Sequence, residues 1–527
     1  ARREGGGAGA RLSRELQGLR REAAEYYRGH RVPQRMEEAL NSLFTLRPAD
    51  LYGELANYFS KFSKVPVICK LVGRKVLDGV GQPTLEVEIY CTVKNYEKRI
   101  CSTVMSSHSQ ISENALPDTA EADERERNDS VNTAVEWVNE SLNTMLRGLK
   151  PTDQCKVDKF LSSDPPPRPT PPTTGLCLVG KKVAVAERMI PPAEPVESVL
   201  CGSLAIGGTS LAIAKAGSTI SHIPLYLHIA LLKHDQDSPK EMTLPLPMVT
   251  LLNCEKISPA KLKLVKEVML IPPVQLSLKQ VSLSFLDFSM ELIDVFFHSQ
   301  QPSPQLADSK KGKPQALKRI SHLGCLITGC DNLEQPLLLM QTACNNIGLE
   351  LGTDMHLAIN CAAHEVMDYV KGKYEVLTGM FKSPDEMVDM YVELINKFPF
   401  IIALIDPLRK EDRQQWNNIC CALGSKCYLI AEDAAKYISQ PKIDENINIP
   451  MCSGVVLKYI NQTKRGEKAV GLGARFIKLG GLSRGERVTK YNRLLAIEEE
   501  LAKNRTLRMS FFLTLFSAST IARVSTK

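Results

Sequence analysis

Five apolar runs in the second half of the chain each end on polar side chains. His356, Leu357, Ala358 and Ile359 lead to Asn360, and the run 400–405 leads to Asp406. Tyr428, Leu429, Ile430 and Ala431 lead to Glu432 and Asp433. Val455, Val456 and Leu457 lead to Lys458, and Arg475, Phe476 and Ile477 lead to Lys478. Carboxylates, an amide and two lysines around one mouth suit a metal-plus-lysine site for an anionic substrate. A lysine there could act as a base only if nearby charge and burial lowered its pKa.

Such residues must be positioned by the runs that carry them. Strand-like runs separated by helix-like stretches read as a parallel (β/α) barrel, whose strand C-termini carry the active site. Upstream, Leu85, Val87 and Ile89 alternate with Glu86 and Glu88 after a Gly-rich turn, which predicts strands over 65–100. Residues 106–130 are Ser/Asp/Glu-rich and read as a flexible loop, and 134–149 as an amphipathic helix. The proline-rich stretch 164–173 and the polar stretch 300–316 read as exposed insertions, and 200–232 as a helix pair.

Residues 20–63 form a separate unit. Pro33 can open a helix with Met36, Leu40, Leu43 and Phe44 on one face. Pro48 can open a second with Leu51, Leu55, Tyr58, Phe59 and Phe62 on one face. The pair needs a partner, either a second copy or its own barrel. Its residues also resemble the docking-and-dimerisation helices of the protein kinase A regulatory subunit and of Dpy-30 proteins, which grip an amphipathic anchoring-protein helix.

Composition is that of a soluble globular protein, 43% hydrophobic and 24% charged. The net charge of +7 is spread along the chain, too diffuse to argue for nucleic acid, and no nucleic-acid partner is expected. The 15 cysteines include no CxxC pair and read as reduced intracellular thiols, mostly core, with Cys325 and Cys330 lacking a second ligand pair for zinc. The most apolar stretch, 509–522, is about 14 residues, short of the ~20 a membrane span needs. Residues 1–19 are Arg/Gly-rich and read as disordered.

Three segments resemble the enolase family. Residues 71–88 (Leu-Val-Gly-Arg-Lys-Val-Leu-Asp-Gly-Val-Gly-Gln-Pro-Thr-Leu-Glu-Val-Glu) are similar to its opening strand–turn–strand. Gly207, Gly208 and Thr209 with Ile223, Pro224, Leu225 and Tyr226 resemble its helix pair. Ser483, Arg484, Gly485, Glu486 and Arg487 with Lys490, Tyr491 and Asn492 resemble its last helix. The N-terminal hairpin and the proline-rich insertion resemble its divergent testis-type branch.

The resemblance implies an α/β protein: an α+β cap over 64–235, then an enolase-type barrel over 236–505 whose first strands run antiparallel, with a divergent tail over 506–527. It implies reversible dehydration of 2-phosphoglycerate to phosphoenolpyruvate, Mg²⁺ as cofactor, and a homodimer or a heterodimer with another enolase. Lys458 falls on the family's proton acceptor, Glu267 on the glutamate that positions the leaving hydroxyl, and Lys478 on the substrate-binding lysine. The three metal carboxylates fall on Asn360, Ile405 and Glu432, and the general acid on Leu323, with His322 beside it. Asp406 faces away on an alternating strand and could replace a ligand only through a bulge. Residues 463–468 stand where the family has a strand–helix unit with a phosphate-binding loop, so the barrel is expected to lack one βα unit. The alternative is a non-catalytic scaffold that docks in the sperm flagellum. Location is expected to be the cytoplasm or that flagellum.

Overall fold

The computed structural model describes residues 6–79, 81–105, 117–163, 202–234, 239–254, 261–273, 276–299, 320–432, 451–456 and 465–508. It divides into two compact units, residues 1–67 with 91–98, and residues 68–90 with 99–527.

The first unit carries three helices, α1 (Gly6–Gly29), α2 (Val32–Leu46) and α3 (Leu51–Ser60). The expected disordered start is helical from Gly6 onward. Its Arg, Leu, Glu and Ala residues are strong helix formers, and an Arg21–Glu25 pair one turn apart adds to them. The third helix begins three residues after Pro48, where Asp50 accepts a hydrogen bond from the Gly53 amide at 2.8 Å as its N-cap. Helices α2 and α3 are tied by Tyr58, whose hydroxyl donates to Glu38 at 2.8 Å, and by Arg35 stacked 4.0 Å over Phe62. The apolar face expected on α2 is divided: Ala39 and Leu43 are buried, whereas Met36, Leu40 and Phe44 are exposed.

The cap contains a three-stranded sheet in the order β1 (Val67–Leu77), β2 (Pro83–Val93), β3 (Tyr96–Val104). Helix α4 (Pro117–Trp137) runs through a π-turn, Val138–Leu142, into α5 (Asn143–Leu146). The loop expected over 106–130 is therefore helical from Pro117, and 106–116 lie outside the described residues. Charged helix formers replace an apolar stripe in its first half, so no 3.6-residue period marks it. The π-turn aims Asn139 at β1: its amide nitrogen donates to the Gly73 carbonyl at 3.0 Å and its oxygen accepts from the Gly73 amide at 2.9 Å. The Asn143 oxygen accepts from the Leu71 amide at 2.8 Å. Two side-chain amides thus satisfy the free edge of a strand. Helices α6 (Gln154–Ser163), α7 (Ser203–Ile220) and α8 (Leu225–Lys233) complete the cap. The proline-rich stretch and the insertion at 300–316 lie outside the described residues.

The second half holds β4 (Met242–Thr243), β5 (Leu246–Cys254), β6 (Glu267–Ile271), α9 (Leu278–Ser299), β7 (Leu326–Thr328), α10 (Gln335–Asn346) and β8 (His356–Asn360). A small sheet, β9 (Met367–Asp368), β10 (Lys373–Leu377) and β11 (Met380–Lys382), follows, then α11 (Pro384–Lys397) and β12 (Ile401–Ile405). Next come α12 (Arg413–Leu423), β13 (Tyr428–Ala431), β14 (Gly454–Val455), α13 (Arg465–Leu472), β15 (Phe476–Gly480), α14 (Gly485–Lys503) and β16 (Leu507–Arg508).

The main sheet runs β14-β13-β12-β8-β6-β5-β15, with β7 paired to β5 off this path. Strand β6 is antiparallel to β5 and β8; the other pairings are parallel. Alternation sends Val268 and Leu270 into the core shared with the helices, and Met269 and Ile271 into an inner cluster with Met248, Ala358, Ile405 and Ile430. Two cores on the two sides of one sheet are the layering of a β/α barrel. No pairing of β14 with β15 closes the ring among the described residues. Of the stretch expected to replace a βα unit, 463–464 lie outside the described residues and 465 onward begin α13.

Candidate functional site

The inner register selects the site. Thr250 follows Met248 by two residues, Asn360 follows Ala358, and Lys478 follows Phe476, while Glu267 precedes Met269. Because β6 runs antiparallel, its first residue, Glu267, lies opposite the last residue of β8, Asn360. Glu267 is buried, 3% exposed. Its Oε1 accepts from Lys478 Nζ at 2.7 Å and from Asn360 Nδ2 at 3.1 Å, and its Oε2 accepts from Thr250 Oγ1 at 3.1 Å. Four strands, β5, β6, β8 and β15, thus meet in one network.

Burial pulls the Lys478 ammonium toward neutrality, but Glu267, and then Glu432, more than offset it, so its pKa stands above the ordinary lysine value. At neutral pH it is a fixed cation suited to a carboxylate or phosphate.

The turn before β7 and the segment after β15 are strapped together. The Gly481 amide donates to the Leu323 carbonyl at 2.7 Å, Arg484 Nε to Ser321 O at 2.9 Å, and Arg487 Nη2 to His322 O at 3.1 Å. The approach needs glycine: a Cβ on Gly481 would lie 2.1 Å from Gly324 O, and Gly480 holds φ at +90°. Leu323 stands at the expected acid position and has no proton to give. His322 is exposed, and its backbone carbonyl is held by Arg487.

Two of the three expected metal positions, Asn360 and Ile405, do not fit Mg²⁺. Asn360 turns its NH₂ toward Glu267, and its Oδ1 accepts from the Ala362 amide at 3.2 Å. Ile405 sits in the inner apolar cluster and offers no donor atom. Asp406 has left the strand conformation, with φ at 46°, and its Oδ1 accepts from the Glu432 amide at 2.7 Å. That bond ties the Asp406 carboxylate to the end of β13. Among the described residues no group of three or more His, Cys, Asp or Glu side chains could hold a metal ion. Mg²⁺ demands near-octahedral oxygen ligands, and neutral or occupied groups supply them poorly.

The structure thus brings together Glu267, Lys478 and Asn360, and places Glu432 close enough to act on Lys478 through its charge. Lys458 lies outside the described residues. Thr250 escaped sequence reasoning, although the alternation that placed Met248 inward also places Thr250 inward. No helix among the described residues is long and apolar enough to cross a membrane.

Residues 68–164 match the family profile "Enolase, N-terminal domain". Residues 241–466 and 460–510 match "Enolase, C-terminal TIM barrel domain" in two pieces. The chain is 49% identical to "Enolase 4" of Homo sapiens, over 96% of this chain and 91% of that protein. It is 47% identical to "Enolase 4" of Xenopus laevis, over 95% of each. It is 25% identical to "Enolase" of Wolinella succinogenes, over 84% of this chain and 99% of that one.

Proposed function

From the premise that this chain belongs to the enolase family, we propose that it acts on the 2-phosphoglycerate/phosphoenolpyruvate pair as a phosphopyruvate hydratase. The observation that carries this reading is the Lys478–Glu267 pair, 2.7 Å apart and braced by Asn360 and Thr250. The substrate carboxylate replaces Glu267 as the partner of Lys478. Glu267, still held by Thr250, then positions the hydroxyl that leaves. Lys458 accepts the proton from C2 and the C2–H electron pair enters a doubly charged enolate; that pair then forms the C2=C3 bond as the C3–O bond breaks, and the departing hydroxide takes its proton from solvent, to which Lys458 returns its own. Mg²⁺, where bound, would supply stabilisation of the negative charge that develops on the substrate carboxylate, with Glu432 and Asn360 as the residues that would hold it. The poor fit of Asn360 and Ile405 to that role predicts weak metal affinity.

Absorbance of phosphoenolpyruvate formed by the purified chain tests the assignment. The expected result is slow formation that Lys458→Ala abolishes; no formation by the unaltered chain overturns it. Isothermal titration should show no micromolar Mg²⁺ site, since each lost charge-assisted contact removes about 1.5–3 kcal/mol. Stoichiometric micromolar binding would mean that Asp406 breaks from the Glu432 amide to ligate.

A second reading is a scaffold of the sperm flagellum or cytoplasm that pairs with itself or another enolase and grips an anchoring-protein helix. It is favoured by the face that α2 leaves open: Met36, Leu40 and Phe44 are 44%, 56% and 75% exposed. Burying each such side chain is worth about 1.5–3 kcal/mol. Leu40→Asp should therefore turn a sedimenting dimer into monomers while the near-ultraviolet spectrum of the barrel stays unchanged. Unaltered sedimentation would assign that face to another contact.

A further inference from the structure

Helix α1 runs from Gly6 to Gly29, and every residue on it from Leu16 onward is exposed. Leu16, Leu19 and Tyr26 are 51%, 63% and 63% exposed. Helices in proteins stand mainly on tertiary packing of an apolar face, and this one leaves its apolar residues in solvent. Their spacing is regular. Leu12, Leu16, Leu19, Ala23, Tyr26 and His30 follow one another at steps of 4, 3, 4, 3 and 4 residues. That is the seam of a heptad, with Leu16, Ala23 and His30 at position a and Leu12, Leu19 and Tyr26 at position d. The helical spacing holds to the end of the seam: the His30 amide donates to the Tyr26 carbonyl at 3.2 Å, and the two rings lie 4.6 Å apart. Charged residues flank the seam, Arg20 at e and Glu22 at g, with Tyr27 at the next e. The outermost position, f, is arginine at 14, 21 and 28, and Arg21 pairs there with Glu25 at 3.9 Å. A helix laid on a globular core carries a stripe that broadens into e or g, whereas a seam kept to a and d has the width of one facing helix.

We infer that α1 pairs with α1 of a second copy of this chain as a parallel coiled coil. Charge selects both the partner and the direction. In a parallel pair each g residue faces the e residue of the next heptad on the other helix. By sequence, Glu15 then meets Arg20 of the second copy, and Glu22 meets Tyr27 of the second copy. One carboxylate faces a cation and the other a hydroxyl donor, and two-fold symmetry repeats both. In an antiparallel pair that overlaps the whole seam, e faces e and g faces g. Arg20 would then meet Arg20 and Glu22 would meet Glu22, like charge against like. None of these residues belongs to the exposed α2 face or to the mouth of the barrel, so the pairing needs neither.

Cysteine cross-linking of the full chain, mapped by peptide mass, tests this. Leu19→Cys chains oxidised with copper–phenanthroline should link position 19 to position 19 of a second copy, at a yield at least about tenfold above that of Arg21→Cys, whose position faces outward. Leu16→Asp added to Leu19→Cys should remove the link. In the Leu19→Cys chain, Arg20→Glu and Glu15→Arg should each lower the yield about fivefold, because each sets like charges across the seam. An equal mixture of those two chains should restore it, since every glutamate again faces an arginine. Such a recovery cannot come from chains that have lost their fold. Equal yields at 19 and 21 overturn the proposal, as does linking of position 19 mainly within its own chain. Preferred linking of Leu19→Cys chains to Ala23→Cys chains would mean an antiparallel pair and overturns it too. A mixture that links no better than its two components also overturns it.

Discussion

Replacing Asp412 with alanine is expected to cost about 3–5 kcal/mol of stability, the range for stranding one member of a buried ion pair. Arg409 is 1% exposed and binds Asp412 through two hydrogen bonds, Nε at 3.0 Å and Nη2 at 2.9 Å. The Tyr374 hydroxyl also donates to Asp412, and the Trp416 indole donates to the Arg409 carbonyl at 3.0 Å. Burial, and then the Asp412 charge, hold the Tyr374 phenol far above its ordinary pKa, so it remains a donor. Without Asp412, a guanidinium and a phenol lose their acceptor inside the core. The partner experiment is Arg409→Met with Asp412→Leu, which removes both charges and should recover most of the loss. Urea unfolding of the three variants measures it. A double variant as unstable as Asp412→Ala would show that packing, not charge, sets the cost.

Lys478→Met should cost about 3 kcal/mol, at the low end of the same range because the lysine side chain keeps 23% of its surface in solvent. The loss comes from Glu267, which stays buried with the Asn360 amide and the Thr250 hydroxyl as its remaining donors among the described residues. Adding Glu267→Gln should return most of the stability while leaving the site without either charge. A double-variant cycle in urea gives the coupling. Additive losses would mean that the two side chains do not depend on each other. The same cycle separates fold from function, since the double variant is expected to be folded yet unable to bind a carboxylate substrate.

The strand runs were legible because parallel strands covered on both faces are apolar without interruption, and Asn360, Asp406 and Glu432 mark where β8, β12 and β13 leave the sheet, whereas Lys478 lies within β15. His356, Tyr428 and their neighbours gave β8 and β13 nearly to the residue. The meeting of Glu267 with Lys478, 211 residues apart, was not in any local pattern and came from family resemblance. Asp406 was harder. Strand alternation alone turned it outward, yet the amide of Glu432, just past the end of β13, and a left-handed backbone fix its carboxylate. Helix α4 hid for a different reason. Its first half, from Pro117 to Arg127, is mostly polar and charged in sequence, so hydrophobic periodicity had nothing to report.

One feature of the barrel bears on how such a site changes over time. Glu267 enters the mouth at the start of its strand, whereas Asn360, Ile405 and Glu432 enter at or just past the ends of theirs. Insertions after those strand ends can reshape their loops without moving Glu267. The segment that feeds it, residues 261–266, tolerates no such freedom. A one-residue deletion there that slips β6 by one position would swing Glu267 into the helix-facing core and bring Val268 to the mouth. Change at the strand ends that carry Asn360, Ile405 and Glu432 is thus free of the constraint that holds the approach to Glu267 at a fixed length.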